Sequence, residues 1–217
     1  MSVKSTIMIR IAALVVAMFA TCTLSAQTTP RQWLDALSRT LGEEHSSHIS
    51  ISYNGDNATG ESLSGYYIVD GDSYYITLGE MEVYSDGQLR YEVNNERREV
   101  VEDVVDLEAC DLLTNPTRAF DFVGDEFDVE FSRGETYSED GSTGYVGLVL
   151  TPKDETLGYS QIGLVLRRTS QGEWLPMSLT YLYDGDRVVV AFVGGVVSAM
   201  PTWRRSNYRD YDIVSFL

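Results

Sequence analysis

The sequence predicts a mainly β protein, a curved antiparallel barrel or sandwich preceded by a single helix. Three observations lead there. Apolar residues recur at every second position over most of the chain, as in Tyr74/Ile76/Leu78 and Phe127/Val129/Phe131, which is the period of a half-buried strand. Four Asp-Gly pairs (Asp70-Gly71, Asp86-Gly87, Asp140-Gly141 and Asp184-Gly185) separate these runs. Asp-Gly accepts the positive φ of tight hairpins, so the pairs favour sequential antiparallel pairing over βαβ crossovers. Only one segment has helical spacing, and it comes before the strands.

The chain opens with Lys4 and Arg10, an apolar run from Ile11 to Ala20, and the small residues Ser25 and Ala26. This is the layout of a secretory signal peptide over residues 1–26, and the apolar run is shorter than the roughly 20 residues of a membrane span. Cys22 raises the alternative of a lipid anchor, although Phe19-Ala20-Thr21 fits the lipoprotein pattern poorly. Without its first 26 residues the chain loses two cations and no acid, so a net charge of −17 becomes −19, and Cys110 is then its one cysteine. Stability must therefore come from the core, with no internal disulfide. Residues 27–217 read as one domain, a length that all-β barrels reach without dividing.

Thr28-Thr29-Pro30 supplies a cap and an early proline, and Trp33, Leu34, Leu37 and Leu41 follow at helical spacing up to Gly42. A helix is expected over Arg31 to Leu41. Strands follow around Ile49/Ile51/Tyr53, Tyr66 to Val69, Tyr74/Ile76/Leu78, Leu89/Tyr91/Val93 and Phe127/Val129/Phe131. Later ones are expected over Tyr145 to Thr151, Gln161 to Arg168, Leu175 to Tyr183 and Arg187 to Val193, making about ten in all. Residues 104–123 break the pattern. There Asn115-Pro116 resembles a helix start, and Leu107, Cys110, Leu112, Leu113, Phe120 and Phe122 offer an apolar face. Two short helices in this stretch either form a lid on the barrel or cap one end of its core.

Composition excludes several function classes. At 43% hydrophobic and 11% aromatic residues, intrinsic disorder is ruled out. The acidity argues against nucleic acid and anionic membranes, since phosphate binding needs Lys and Arg to replace counterions. Glu43-Glu44 and the acids from Asp125 to Glu130 read as solvated faces rather than an acid/base pair. His45 and His48 lie three apart beside Glu43-Glu44, but no third ligand is specified, and a surface loop is the expectation. The glycines of Gly60 to Gly65 and Gly194-Gly195 lack the strand-to-helix context of a phosphate loop or nucleophile elbow. Asn57-Ala-Thr59 matches a glycosylation acceptor of low specificity. No catalytic residue, metal ligand or cofactor is assigned, and the chain does not read as an enzyme.

Several segments together resemble the periplasmic lipoprotein-carrier proteins, the LolA-like group. Ser85-Asp86-Gly87 followed by Gln88 to Asn94 is similar to that family's Ser-Asp-Gly hairpin. Gly65 to Val69 with Tyr74 to Ile76 is similar to the preceding strand pair. Asn115-Pro116, Val149 to Lys153 and Trp174-Leu175-Pro176 resemble the family's Pro-led helix, central strand end and late strand. The order agrees from about residue 31 to 194. The resemblance implies an unclosed antiparallel β-barrel whose concave face is covered by helices and encloses a cavity for acyl chains. It also implies a monomeric periplasmic carrier of Gram-negative bacteria. Such a carrier takes acylated lipoproteins from an inner-membrane releasing transporter to an outer-membrane acceptor. Two departures stand out. Asp70-Gly71 replaces the family's Arg-Pro, so its lid-latching Arg is missing, and Val93 stands where an aromatic residue is common.

Strand alternation then names a cavity wall. Ile76, Leu78, Leu89 and Tyr91 are expected on one half. Val149, Leu164, Leu166, Met177, Leu179, Tyr181, Val190 and Phe192 are expected on the other, with Leu113 and Phe120 as the lid. A slip of one residue would invert a whole row. The alternative function is an exported interaction protein whose barrel is filled by its own side chains, with a lipid anchor on Cys22 in one version. An acid/base hydrolase ranks third.

Overall fold

The computed structural model describes residues 29–54, 62–107, 109, 112–120, 126–134, 136–154, 158–183, 186–195, 197 and 199–217. The signal-peptide reading, Cys22, Cys110, Asn57, Phe122 and the Asp184-Gly185 turn lie outside these residues.

Helix α1 runs Pro30–Leu41, one residue earlier than expected. Thr29 closes a capping box. Its hydroxyl accepts from the Gln32 backbone N–H at 3.3 Å, and the Gln32 side chain accepts from the Thr29 N–H at 2.8 Å. Gly42 ends the helix, donating its N–H to the Ser38 carbonyl. Trp33, Leu34 and Leu37 form the buried face.

Twelve strands follow: β1 (Glu44–Asn54), β2 (Ser62–Asp70), β3 (Ser73–Leu78), β4 (Met81–Ser85), β5 (Leu89–Asn94), β6 (Glu99–Val104), β7 (Phe127–Phe131), β8 (Tyr145–Pro152), β9 (Gln161–Arg168), β10 (Trp174–Leu182), β11 (Arg187–Phe192) and β12 (Asp212–Ser215). All join one sheet in the order β12-β6-β5-β4-β3-β2-β1-β11-β10-β9-β8-β7. Every pairing is antiparallel except β12 with β6. The end strands β12 and β7 do not pair with each other, so the sheet is an unclosed barrel. Gly71 and Gly87 take the positive φ that their Asp-Gly turns require. Gly65, considered above as part of a glycine-rich motif, has a packing role: a Cβ there would sit 1.8 Å from the Thr77 carbonyl oxygen.

The inner face carries the main core. Tyr67, Tyr74, Ile76 and Val83 come from one half of the sheet, and Val146, Leu148, Leu150, Ile162, Leu164, Leu166, Leu179 and Val190 from the other. Two covers lie over it. Helix α1 packs on β10 and β7. A crossover from β6 to β7 packs on β2 and β3 through a single 3-10 turn, Pro116–Arg118. Asn115 precedes that proline as expected, but its side chain does not cap the turn.

The outer face departs from expectation. Over β2 to β6 it is not a wet polar surface. It holds a second cluster of Tyr75, Tyr84, Val93 and Val100, sealed by Met200, Trp203, Tyr208, Tyr211 and Ile213 of the C-terminal segment. Trp203 stacks on Tyr91 at 4.5 Å and on Tyr208 at 4.8 Å. Consecutive apolar pairs such as Tyr66-Tyr67 and Tyr74-Tyr75 serve both faces, as in a sheet covered on two sides. The Glu82 carboxylate lies beneath this strap, accepting hydrogen bonds from Tyr84 at 2.6 Å, Asn95 at 2.8 Å and Tyr75 at 3.0 Å of the sheet region and from Tyr208 of the strap at 3.5 Å.

Burial alone would raise the Glu82 pKa, but these hydrogen bonds together outweigh it and hold the carboxyl below its ordinary 4.5. A depressed carboxyl stabilises the fold above its unfolded pKa and loses that contribution as pH falls through the folded value. Thermal melts between pH 7 and pH 3 should therefore show a steeper fall in Tm for the wild type than for Glu82→Gln. Equal slopes would remove Glu82 from this role.

Candidate apolar site and its mouth

The structure gathers seven of the expected wall residues on the inner face. Leu164, Leu166 and Leu179 are 0% exposed, and Ile76, Tyr181, Val190 and Phe192 are buried beside them. Leu78 is half-buried on the same side, two residues beyond Ile76. Phe120 lies on the crossover and packs inward, with its ring 5.6 Å from that of Phe192.

Five expected residues lie elsewhere. Leu89 and Tyr91 are on the outer face, because β5 pairs Tyr91 with Tyr84 and turns Arg90 and Glu92 toward the inner side. Those two form an ion pair at 2.8 Å. Val149 is half-buried on the outer side of β8, while its neighbours Leu148 and Leu150 pair inward with Leu164 and Ile162. Met177 occupies a β-bulge between Pro176 and Ser178 and is 42% exposed. The extra residue inverts the alternation at that point. In the crossover Leu113 is exposed, and Leu112 takes the buried place at 1%. Of the inward residues that were missed, Leu148, Leu150, Leu112 and Tyr67 sit in runs apolar on consecutive positions, where period two carries no signal, whereas Ile162 shares the parity of Leu164 and Leu166 and was readable.

His45 and His48 are not in a loop. Both are on β1, and their odd spacing sends them to opposite faces, so they do not share a metal ion. Among the described residues, no group of three or more His, Cys, Asp or Glu side chains forms a metal-binding cluster. His48 is outside, against Tyr66. His45 is inside, edge-on to Tyr67 at 5.6 Å and to Phe120 at 6.3 Å. Both of its ring nitrogens are buried and neither forms a hydrogen bond of normal geometry. Burial holds its pKa below 6.5; the nearby Gly42 backbone opposes this only in part.

Between the two covers the inner face has an opening. A pocket of about 370 Å³ lies where the end of α1 meets the crossover, lined by Ser38, Arg39, Leu41, Gly42, Glu43, His45, Thr117 and Phe120. This volume is at the lower end of small-molecule sites, about 300–1,000 Å³. Behind its lining residues His45 and Phe120 lie the buried rings of Tyr67 and Phe192, 6.4 Å apart. Its lining mixes charged, polar and apolar side chains.

No family model and no curated protein matches the sequence. Solved structures do. The chain is similar to an uncharacterized conserved protein of Thermus thermophilus, with a TM-score of 0.49 and 10% identity over 85% of this chain and 98% of that one. It is also similar to a LolA superfamily protein of Nitrosomonas europaea, with a TM-score of 0.41 and 11% identity over 80% and 95% of the two chains. A third is LprF from Mycobacterium bovis, with a TM-score of 0.43 and 12% identity over 80% and 98%.

The inward and outward assignments have distinct energetic consequences. Leu164→Ala should lower unfolding free energy in urea by about 2–5 kcal/mol, the cost of a core cavity. Met177→Ala, at the bulge, should stay within roughly 0.5 kcal/mol. Comparable losses at both positions would contradict the bulge.

Proposed function

We propose that this protein is an exported, non-enzymatic carrier that binds the acyl chains of lipoproteins on the inner face of its unclosed barrel. In the fuller form of this reading it acts in the periplasm and moves lipoproteins from an inner-membrane releasing transporter to an outer-membrane acceptor. The observation that carries the proposal is the divided cover. Helix α1 and the crossover seal different halves of a continuous apolar face and leave an opening at Leu41, His45 and Phe120. Each methylene transferred from water to such a face gains about 0.8 kcal/mol, so a long chain needs few specific contacts. Among the described residues no helix is long and apolar enough to cross a membrane.

A second reading has its own support. Leu164, Leu166 and Leu179 are fully buried in the ligand-free chain, as expected of an exported interaction protein that fills its own barrel. Binding of an uncharged fluorescent acyl ester separates the two. The carrier should take up the probe, and Leu41→Glu, at a half-buried position on the opening, should weaken uptake by at least about tenfold (roughly 1.4 kcal/mol) with little change in Tm. No uptake by the wild type would favour the filled barrel. Uptake unchanged in Leu41→Glu would move the entrance elsewhere.

A further inference from the structure

His45 is out of place in its surroundings. A side chain able to donate and accept hydrogen bonds is held with both nitrogens buried, between a tyrosine ring of β2 and a phenylalanine ring of the crossover. Buried polar atoms are almost always paired, and an exception in a folded protein points to strain or to a working part. The consequences for the two protonation states differ. Neutral imidazole can stay sealed among the rings at a moderate cost. An imidazolium there would be a buried charge with only the Gly42 backbone to support it, which is far more costly.

We propose that His45 is a proton-operated seal on the opening of the inner face. With the ring neutral, Phe120 rests over it and the crossover lies closed against β2 and β3. With the ring protonated, His45 draws water to its nitrogens, Phe120 lifts, and the opening widens. The inference rests on the carrier reading for its purpose, which is pH-dependent release of an acyl ligand, but the seal itself is a property of the chain.

The groups around His45 leave its burial as the dominant influence. From the end of α1 and the link to β1, Arg39 and Glu43 line the same opening with opposite charges, and both are exposed. On β1 itself Glu44 is exposed and pairs across to Asp70 of β2, also exposed. Water screens such charges strongly. From the crossover Arg118 points its guanidinium to the Leu107 carbonyl, at 2.5 Å, while Thr117 and Phe120 are uncharged. The Tyr67 phenol is kept neutral by burial, which pushes its pKa up. Phe192 of β11, beyond Phe120 and Tyr67, is apolar.

The sign follows from linkage. The closed form holds the His45 pKa below 6.5, and the open, hydrated form returns it toward that value. Protons therefore favour the open form as pH falls below about 6.5, and the closed form is undisturbed above it.

The test uses the mature chain and an uncharged fluorescent acyl ester, so that the probe does not titrate. Wild-type affinity should fall severalfold from pH 7.5 to pH 5.5, because protons favour the form that releases the ligand. His45→Phe should bind equally at both pH values, whereas His48→Gln should keep the wild-type dependence. With only two histidines in the chain, NMR on the unmodified protein provides a ligand-free readout. Ring-to-ring contacts between His45 and Phe120 should disappear as His45 titrates. Flat wild-type affinity, or an unchanged pH dependence in His45→Phe, would overturn the seal. If the wild type binds no probe at either pH, the carrier reading fails, and the NMR contacts alone decide. Their loss would support the seal, and their persistence at pH 5.5 would overturn it.

Discussion

The strand order imposes one constraint from which most of the architecture follows. Strands β1 to β6 run outward from β1 in one direction and β7 to β11 return to its other side, so the chain leaving β6 must reach the far end of the sheet. Ten strand steps at about 4.8 Å would span roughly 48 Å if the sheet were flat. The described part of that link, up to Phe120, packs on the inner face, and curvature of the sheet shortens the distance to be covered. A segment laid over an apolar face must itself be apolar beneath, which is why Val105, Leu112, Ala119 and Phe120 are buried. With α1 occupying the β7 and β10 side, the inner face is covered by two pieces rather than one, and the opening lies between them.

The same geometry accounts for the second, outer core. Strands β2 to β6 are covered inside by the crossover and outside by the C-terminal strap, whose last residues add β12 parallel to β6. Trp203, Tyr208 and Tyr211 join an aromatic layer near one carboxylate, Glu82, which takes hydrogen bonds from Tyr84 and Tyr208, while Tyr211 donates to Asn95. A half-buried carboxylate fixes position more strictly than an apolar contact, because Tyr208 loses its bond to Glu82 if the strap slides.

Sequence patterning made much of this readable. Thr29, Pro30 and Gly42 bound the helix, and the Asp-Gly turns and period-two runs bring out the antiparallel strands. The C-terminal segment supplies an edge strand, β12, on β6. Which face each strand turns inward was only partly readable. On β9 and β11 the apolar residues of one parity point to a single core, and Leu164, Leu166, Val190 and Phe192 lie where alternation puts them. On β5 the apolar parity belongs to the outer core, so Leu89 and Tyr91 follow a valid pattern to the opposite face. At Met177 a bulge, and at Leu112-Leu113 a turn, shift the register by one residue, and local sequence carries no mark of either. His45 could have been noticed: an odd spacing from His48 within a strand places one of the pair inside.

An inner face that is continuous, apolar and unevenly covered suits a ligand with a long hydrocarbon part and little polar detail. His45, the one polar ring at the boundary, then sets the conditions under which that face is exposed. The most direct test of this account is a crystal structure of the protein with a bound acyl ester. The account predicts the chain entering past Leu41 and lying against Tyr67, Phe120 and Phe192, beneath a crossover that stays closed on β2 and β3 at neutral pH. Ligand bound instead beneath the C-terminal strap, with the inner face packed as in the free protein, would contradict it.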